Sequence, residues 1–153
     1  SLIESGVEYK LIQVHFHAPS EHVYGSKHEP LEAHFVHVAL DGTLAVLGVF
    51  IVEGKETPAL KALMTHLPET EVAPMTYSDV KINPSDLLPK NMAMYRYMGS
   101  LTTPPCTEGV NWHVLKATVT ASKDQIKRLE GVLHDNARPA QATKGRLIVG
   151  PTN

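Results

Sequence analysis

Cysteine is almost absent from this chain, whose 153 residues include only Cys106. One cysteine cannot form a disulfide within the chain, so we expect either a small buried thiol or a half-cystine whose partner lies outside this sequence. Long apolar runs are missing too, since no stretch reaches the ~20 residues that a membrane-spanning helix needs. Neither an internal disulfide framework nor a membrane-spanning helix is therefore expected to organise this sequence.

An excess of charge of one sign is also lacking, because 14 Lys and Arg residues stand against 16 Asp and Glu residues, for a formal net charge of −2. The sequence contains no basic run and no interleaving of aromatic with basic residues. It therefore predicts neither nucleic acid nor an anionic membrane surface as a partner. The opening residues, Ser1-Leu2-Ile3-Glu4, lack the basic start and apolar core of a signal peptide.

Histidine, by contrast, occurs nine times, and three of the histidines stand in a pattern typical of metal ligands. His15 and His17 are two apart at the end of a predicted strand, and His34 lies in a second predicted strand over residues 31–40. Side chains two apart in a strand share a face, so two aligned antiparallel strands would bring the three imidazoles to one point. Three imidazoles with an open fourth position are the ligand set of a catalytic zinc.

Acceptor groups beside these histidines strengthen the metal interpretation. Zinc-bound histidines usually donate their other ring N–H to a carboxylate, amide or carbonyl group. Gln13 shares the face of His15, and Glu32 shares the face of His34. A lone His-x-His pair is more often an ordinary surface or core pair, so the interpretation depends on the third histidine and its acidic neighbour.

The remaining pattern is mostly β, with two helices and long loops, and the length suits a single domain. The first long strand is expected to pack Ile12, Val14 and Phe16 on the core and to place Tyr9 and Leu11 on the histidine face. A strand at 44–52 reads as buried on both faces. Further strands are predicted at 92–98, 109–119 and 147–149, and a loop-rich stretch at 69–90.

Turn and capping signals mark the other boundaries. Asp41-Gly42 predicts a hairpin between the second and third strands. Pro58 after Thr57 predicts the start of one helix, and Ser122 with Gln125 three residues later forms a capping box for another.

Five motifs in order carry a family resemblance: QVHFHAPSEH, LEAHFVH, LAVLGVF, GSLTTPPCTEGVNWHVLK and NARPAQ. Together they resemble the α-class carbonic anhydrases, over essentially the whole chain, and Ala-Pro-Ser-Glu-His and Pro-Pro-Cys-Thr-Glu-Gly are similar to the bacterial secreted branch. The resemblance implies a mainly β (α+β) fold: a central, largely antiparallel twisted sheet with peripheral helices and a zinc site on the sheet.

The resemblance also implies a reaction, the reversible hydration of CO₂ to bicarbonate and a proton by attack of a zinc-bound hydroxide. His15, His17 and His34 would hold Zn²⁺. Thr102 resembles the gatekeeper whose hydroxyl accepts from that hydroxide and donates to a buried carboxylate, here Glu21. A hydroxyl that donates to Glu21 must accept at its other side, which would aim the nucleophile at the substrate.

Other roles follow from the same resemblance. Gln13, Glu32 and the backbone carbonyl of Asn136 would orient the three ligands, and His22 would be a structural histidine bonded to Glu32 and Tyr97. CO₂ and bicarbonate would be bound by six residues: Val36, Val46, Leu101, Thr103, Val110 and Trp112.

Members of this family begin well before the residue that aligns with Ser1, so we expect residues 1–153 to be one catalytic domain without its N-terminal portion. The missing part would contain the usual proton shuttle and the disulfide partner of Cys106, so activity should depend on buffer. The resemblance further implies a periplasmic or extracellular location and leaves a homodimer open.

Two alternatives remain at this point. His15-x-His17 followed by Glu21 imitates the His-x-His-x₃-Glu pattern of cupin-type oxygenases, in which Glu21 would ligate iron or manganese. The chain could also be a catalytically silent, zinc-binding relative of the anhydrases. Metal analysis and the ligand set distinguish the first alternative, and a CO₂ hydration assay distinguishes the second.

Overall fold

A mixed β-sheet forms the body of the computed structural model, which describes residues 1–68, 73 and 75–151. The described strands are β1 Leu2–Glu4, β2 Val7–His17, β3 Val23–Tyr24, β4 Lys27–His28, β5 Leu31–Val38, β6 Leu44–Glu53, β7 Met94–Ser100, β8 Glu108–Leu115 and β9 Val119–Ala121. The strand order in the sheet is β1-β2-β5-β6-β8-β7, with β9 paired to β6, and β3 and β4 form a separate two-stranded ribbon. Strands β6 and β8 are parallel, as are β6 and β9, whereas the other pairs are antiparallel.

Two helices pack on one side of this sheet, α1 at Pro58–Met64 and α2 at Lys123–Leu133. Both begin where the sequence predicts, and the capping box of Ser122 and Gln125 is confirmed. The side chain of Thr57 forms no capping hydrogen bond with α1, and its hydroxyl donates to the carbonyl of Thr120. A 3₁₀ turn at Pro84–Leu87 completes the described helical structure, in which no helix is long and apolar enough to cross a membrane.

The register between β2 and β5 brings the predicted metal-binding faces together. His15 lies opposite His34, and His17 lies opposite Glu32. The hairpin predicted at Asp41-Gly42 is confirmed, since Gly42 donates its N–H to Ala39 and joins β5 to β6. Strand β6 is buried on both faces, as its apolar run indicates.

A β-bulge in β2 overturns part of the predicted alternation. Leu11 pairs with His37 and Gln13 with Val36, which leaves Ile12 as an extra residue, 60% exposed to solvent. A bulge shifts the two-residue alternation by one position, so residues before it exchange faces. Leu11 therefore packs on the apolar core. Ile12, expected in the core, points to solvent.

Tyr9, which precedes the same bulge, is also buried rather than on the histidine face. It packs with Ala39 and Ala45. Val14 and Phe16 follow the bulge and lie against the core as predicted.

Four other predicted strands differ from expectation in their boundaries. The strand predicted at 109–119 is two strands, β8 and β9, which both pair with β6. Two residues separate Gly48 from Ile51 on β6, whereas four residues separate their partners Val114 and Val119. The surplus residues bend out of the sheet. The strand predicted at 147–149 is a single bridge between Val149 and Arg96.

The bridge does not continue beyond Val149, since Pro151 follows closely and cannot donate to a ladder. The strand expected at 31–40 ends at Val38, and that expected at 92–98 runs from Met94 to Ser100. Part of the loop-rich stretch predicted at 69–90 lies outside the described residues.

The exposed bulge gives a matched stability test, because Ile12 is 60% exposed and Ile51 is 1% exposed. We expect Ile51→Ala to lower the free energy of unfolding by about 2–5 kcal/mol through the cavity that it leaves. Ile12→Ala should cost less than about 1 kcal/mol, since it removes no buried contact. Urea denaturation of both variants measures the difference, and a cost for Ile12→Ala equal to that of Ile51→Ala would contradict the bulge.

Candidate metal centre

The three predicted ligands lie together on one face of the sheet. The ring centroids of His15 and His17 are 5.0 Å apart, those of His15 and His34 are 5.2 Å apart, and those of His17 and His34 are 4.6 Å apart. One ring nitrogen from each histidine lies within 4.8 Å of the others. The β2–β5 pairing therefore produces the three-imidazole cluster that the sequence predicts.

Each of the β2 histidines has one nitrogen beside an acceptor. His15 Nδ1 lies 3.0 Å from the side-chain oxygen of Gln13, and His17 Nδ1 lies 3.4 Å from the backbone carbonyl of Asn136. A neutral imidazole that donates from Nδ1 carries its lone pair on Nε2. These partners thus favour the tautomer in which Nε2 of both histidines is free to bind a metal.

His34 is oriented in the opposite sense. Its Nε2 lies 3.0 Å from Glu32 Oε1, so its lone pair is left on Nδ1. The same carboxylate oxygen is 2.6 Å from His22 Nδ1, and Glu32 Oε2 accepts the backbone N–H groups of Glu21 and His22, each at 2.9 Å. Glu32 is fully buried, accepts from three donors and lies beside a fourth nitrogen, that of His34.

Charge and burial keep these groups in the required ionisation states. Burial, together with His34 and His17, lowers the pKa of His15 to about 4, and burial also lowers the pKa of His17. Burial acts to raise the pKa of Glu32, but the combined interactions with His22 and His34 outweigh it and hold that pKa well below its usual value. Glu32 is therefore a carboxylate acceptor, while His15 and His17 are neutral at pH 7.

The cluster passes a direct test of fit to zinc. His17 Nε2 is buried, and no described residue forms a hydrogen bond with it. A buried polar atom without a partner is costly, and a metal ion would satisfy it. Neutral imidazole nitrogens at this mutual distance are suitable zinc ligands, with a fourth position left for water.

Glu21 lies closer to this cluster than the sequence suggested. Its Oε2 is 3.4 Å from His17 Nε2 and 3.8 Å from His34 Nδ1, while its Oε1 accepts the backbone N–H of Arg138 at 2.8 Å. Oε2 is buried, and no hydrogen bond to it occurs in the described residues. One oxygen of Glu21 is thus anchored by the C-terminal segment, and the other is available at the site.

Thr102 is half-buried and lines the same cavity of about 370 Å³ as Glu21 and Arg138. No hydrogen bond between Thr102 and Glu21 is present in the part of the chain that the structure describes, so the gatekeeper contact remains a prediction. Thr103 is exposed in the neighbouring loop.

The predicted apolar wall exists as one packed cluster. Val36, Val46, Val110 and Trp112 are all buried in it, and Leu101 packs against its margin. The ring centroid of Trp112 is 4.8 Å from that of His34, which places the cluster beside the metal centre.

Two other histidines lie outside the three-histidine cluster, and His22 has the partners that the resemblance implies. His22 joins Glu32 to Tyr97, whose hydroxyl is 2.7 Å from His22 Nε2, so its nitrogens are both occupied. His22, Glu32 and His34 form a second cluster of potential ligands, but their mutual contacts already satisfy them. His37 is buried on the opposite face of β5, where its Nδ1 donates to the carbonyl of Phe35 at 2.8 Å.

Other chain segments add three observations. His113 is buried, with its Nε2 3.2 Å from Glu4. Cys106 is a half-buried free thiol. Gly48 was not singled out, although an isolated glycine within an apolar strand is a signal that another group approaches the backbone closely. Here that group is Glu32.

A three-histidine site on a mixed sheet, with an acceptor holding one nitrogen of each ring, defines a metalloprotein of the catalytic zinc type. A family model described as eukaryotic-type carbonic anhydrase matches residues 2–150. The chain is also 41% identical over 151 residues to a carbonic anhydrase of Pectobacterium carotovorum. This chain belongs to the α-class carbonic anhydrase family.

Solved structures agree with this assignment. The fold is similar to an α-carbonic anhydrase of Thermovibrio ammonificans in complex with the inhibitor sulfanilamide, with a TM-score of 0.91 and 46% identity over 95% of this chain and 65% of that chain. It is also similar to dioscorin complexed with ascorbate, with a TM-score of 0.89 and 34% identity over 99% of this chain and 66% of that chain.

The Pectobacterium match covers 97% of this chain but 61% of that relative, so the chain spans less than two thirds of its length. The family assignment nevertheless excludes the cupin-type oxygenase alternative, which was wrong.

Substitution of one ligand tests the metal centre. Because His34 supplies one of three nitrogens, we expect His34→Gln to lose bound zinc, as measured by mass spectrometry of the metal after dialysis. The matched control is His37→Gln. His37 is also buried on β5 but lies on the opposite face, so this variant should keep one zinc per chain. Stoichiometric zinc in His34→Gln would contradict the ligand assignment.

The position of Glu21 calls for a separate test, since its carboxylate lies near two of the ligand nitrogens. We expect Glu21→Gln to keep its zinc, because the amide preserves the shape of a residue that binds hydrogen-bond donors. The zinc content of Glu21→Gln is measured in the same experiment as that of His34→Gln. Loss of the metal from Glu21→Gln would make Glu21 a ligand.

Proposed function

We propose that this chain is the zinc-binding part of a carbonic anhydrase and catalyses the reversible hydration of CO₂ to bicarbonate and a proton. The observation that carries the proposal is the cluster of His15, His17 and His34, each with one nitrogen held by an acceptor and the other free. Family membership supports the same reaction.

The three histidines would hold Zn²⁺ through His15 Nε2, His17 Nε2 and His34 Nδ1, with Gln13, Asn136 and Glu32 fixing the ring orientations. For carbonic anhydrases, the standing example of this effect, zinc lowers the pKa of bound water from roughly 15.7 to about 7 and so supplies a nucleophile at neutral pH.

Glu21 and Thr102 have an orienting role in this proposal. Glu21 Oε2 is a buried acceptor near the metal centre. Thr102 lines the same cavity and carries the hydroxyl that the resemblance assigns to the gatekeeper. A hydroxyl that donates to Glu21 presents only its lone pairs to the other side, so it can accept a hydrogen bond from the nucleophile there. The pair would hold that nucleophile with its own lone pair toward the substrate carbon.

The apolar wall would bind the substrate. CO₂ is small and has no net dipole, so a surface of hydrocarbon side chains accepts it weakly without competing hydrogen bonds. The buried cluster of Val36, Val46, Val110 and Trp112 lies beside His34, and Leu101 borders it. Thr103, exposed at the loop, would contact bicarbonate.

The threonine role gives an activity test. We expect Thr102→Ala to lower kcat/KM for CO₂ hydration on the order of 10²-fold, the usual cost of losing one preorganised polar group. Zinc content should not change, because Thr102 is not a ligand. Stopped-flow hydration assays on zinc-loaded protein measure the effect.

Two further variants serve as references for that assay. Thr107→Ala, in the same loop with its side chain exposed, should keep full activity, and Thr102→Ser should recover most of it. Unchanged kcat/KM in Thr102→Ala would remove the gatekeeper role. A zinc-loaded chain without any hydration activity would favour the catalytically silent alternative.

Location and assembly are part of the same proposal. The similarity of Ala-Pro-Ser-Glu-His and Pro-Pro-Cys-Thr-Glu-Gly to the secreted bacterial branch supports a periplasmic or extracellular protein, with residues 1–153 as a single catalytic domain. Cell fractionation tests the location. The homodimer stays a prediction, for light scattering to decide.

A further inference from the structure

Gly48 interrupts the apolar run of β6 on the face that carries the metal centre. In the sheet register it lies opposite His34 of β5 and Val114 of β8. Its φ lies outside the left-handed region, so the backbone there does not require glycine. Its missing side chain must instead be explained by what fills the space above it.

Glu32 fills that space. A Cβ atom added to Gly48 would lie 2.7 Å from Glu32 Oε1, a distance that real Cβ atoms essentially never show. The next atoms, Glu32 Cδ and Val114 Cγ2, would be at 3.8 Å, which is ordinary contact. The carboxylate oxygen is therefore the one group that a larger residue at this position would displace.

Glu32 cannot move aside without losing other contacts. It is fully buried, and its second oxygen accepts two backbone N–H groups, from Glu21 and His22, each at 2.9 Å. Its remaining freedom is to rotate or shift Oε1, the oxygen that lies 2.6 Å from His22 Nδ1 and 3.0 Å from His34 Nε2. A shift of a few tenths of an ångström would change this 3.0 Å contact with His34 Nε2 and so disturb the orientation of the His34 ring.

We propose that Gly48 is a positioning residue of the metal centre, because its missing side chain leaves room for the carboxylate that holds His34 with Nδ1 toward zinc. The inference rests on the proposed zinc site. It adds a residue that touches neither metal nor substrate and acts through Glu32 alone.

A double-mutant cycle on zinc affinity tests this inference, with affinity measured by competition against a chromophoric chelator. We expect Gly48→Ala to weaken zinc binding about tenfold or more, the usual range when an orienting partner of a ligand is disturbed. In a Glu32→Ala background the same change should alter affinity less than about twofold, since the colliding oxygen is gone.

A second glycine provides the matched control. Gly131 lies exposed in α2, and a Cβ added there would meet no atom within 4 Å. Gly131→Ala should therefore leave zinc affinity unchanged. Imidazole ¹⁵N chemical shifts give an independent readout: we expect the His34 signals to change in zinc-loaded Gly48→Ala and to stay fixed in Gly131→Ala, whereas loss of sheet stability alone would move neither.

Each outcome bears on the inference. Equal losses of affinity with and without Glu32, or no loss in Gly48→Ala, would overturn it. If Gly48→Ala does not fold, recovery of folding by Glu32→Ala supports the inference and failure of the double variant overturns it. Zinc binding by the unsubstituted chain is measured first: its absence overturns the zinc site together with this inference, whereas bound zinc with an additive cycle overturns the inference alone.

Discussion

The buried carboxylate of Glu32 is the constraint on which the rest of the site depends. A charge removed from water is tolerated only when it is paired and fully hydrogen-bonded, and loss of one partner of a buried pair typically costs about 3–5 kcal/mol. Glu32 accepts hydrogen bonds from two backbone N–H groups and from the ring of His22, and the ring of His34 lies 3.0 Å from its Oε1. It thereby joins the loop after β2 to β5 and, through His22, to Tyr97 of β7.

The metal centre draws its precision from the sheet. Two of the proposed ligands lie on β2 and one lies on β5. These strands are neighbours, and the backbone hydrogen bonds between them fix their register. Each ligand is then held by a different kind of acceptor: a side-chain amide, a backbone carbonyl and a carboxylate. Side chains on paired strands have little freedom to move relative to each other, which suits a site that must hold three nitrogens at fixed distances.

Strand β6 contributes to the apolar clusters on both faces of the sheet. One face contributes Leu47, Val49 and Ile51 to the core under the helices, while the other contributes Val46 and Phe50 to the cluster beside the metal centre. The nearly continuous apolar sequence of β6 predicted burial on both faces, and this is confirmed. It could not indicate that one face packs under the helices and the other beside the three histidines, since both environments select apolar residues.

The sequence by itself indicated the three proposed ligands, because His15 and His17 are two apart and share a strand face, and His34 shares a face with Glu32 on the next long strand. Family motifs extended this prediction to the proposed reaction. The bulge at Ile12, the oxygen of Glu21 near the ligand nitrogens and the space at Gly48 were decided only by the tertiary structure. Register, backbone approach and the path of the C-terminal segment arise from contacts between residues far apart in the chain, and no local pattern encodes those distances.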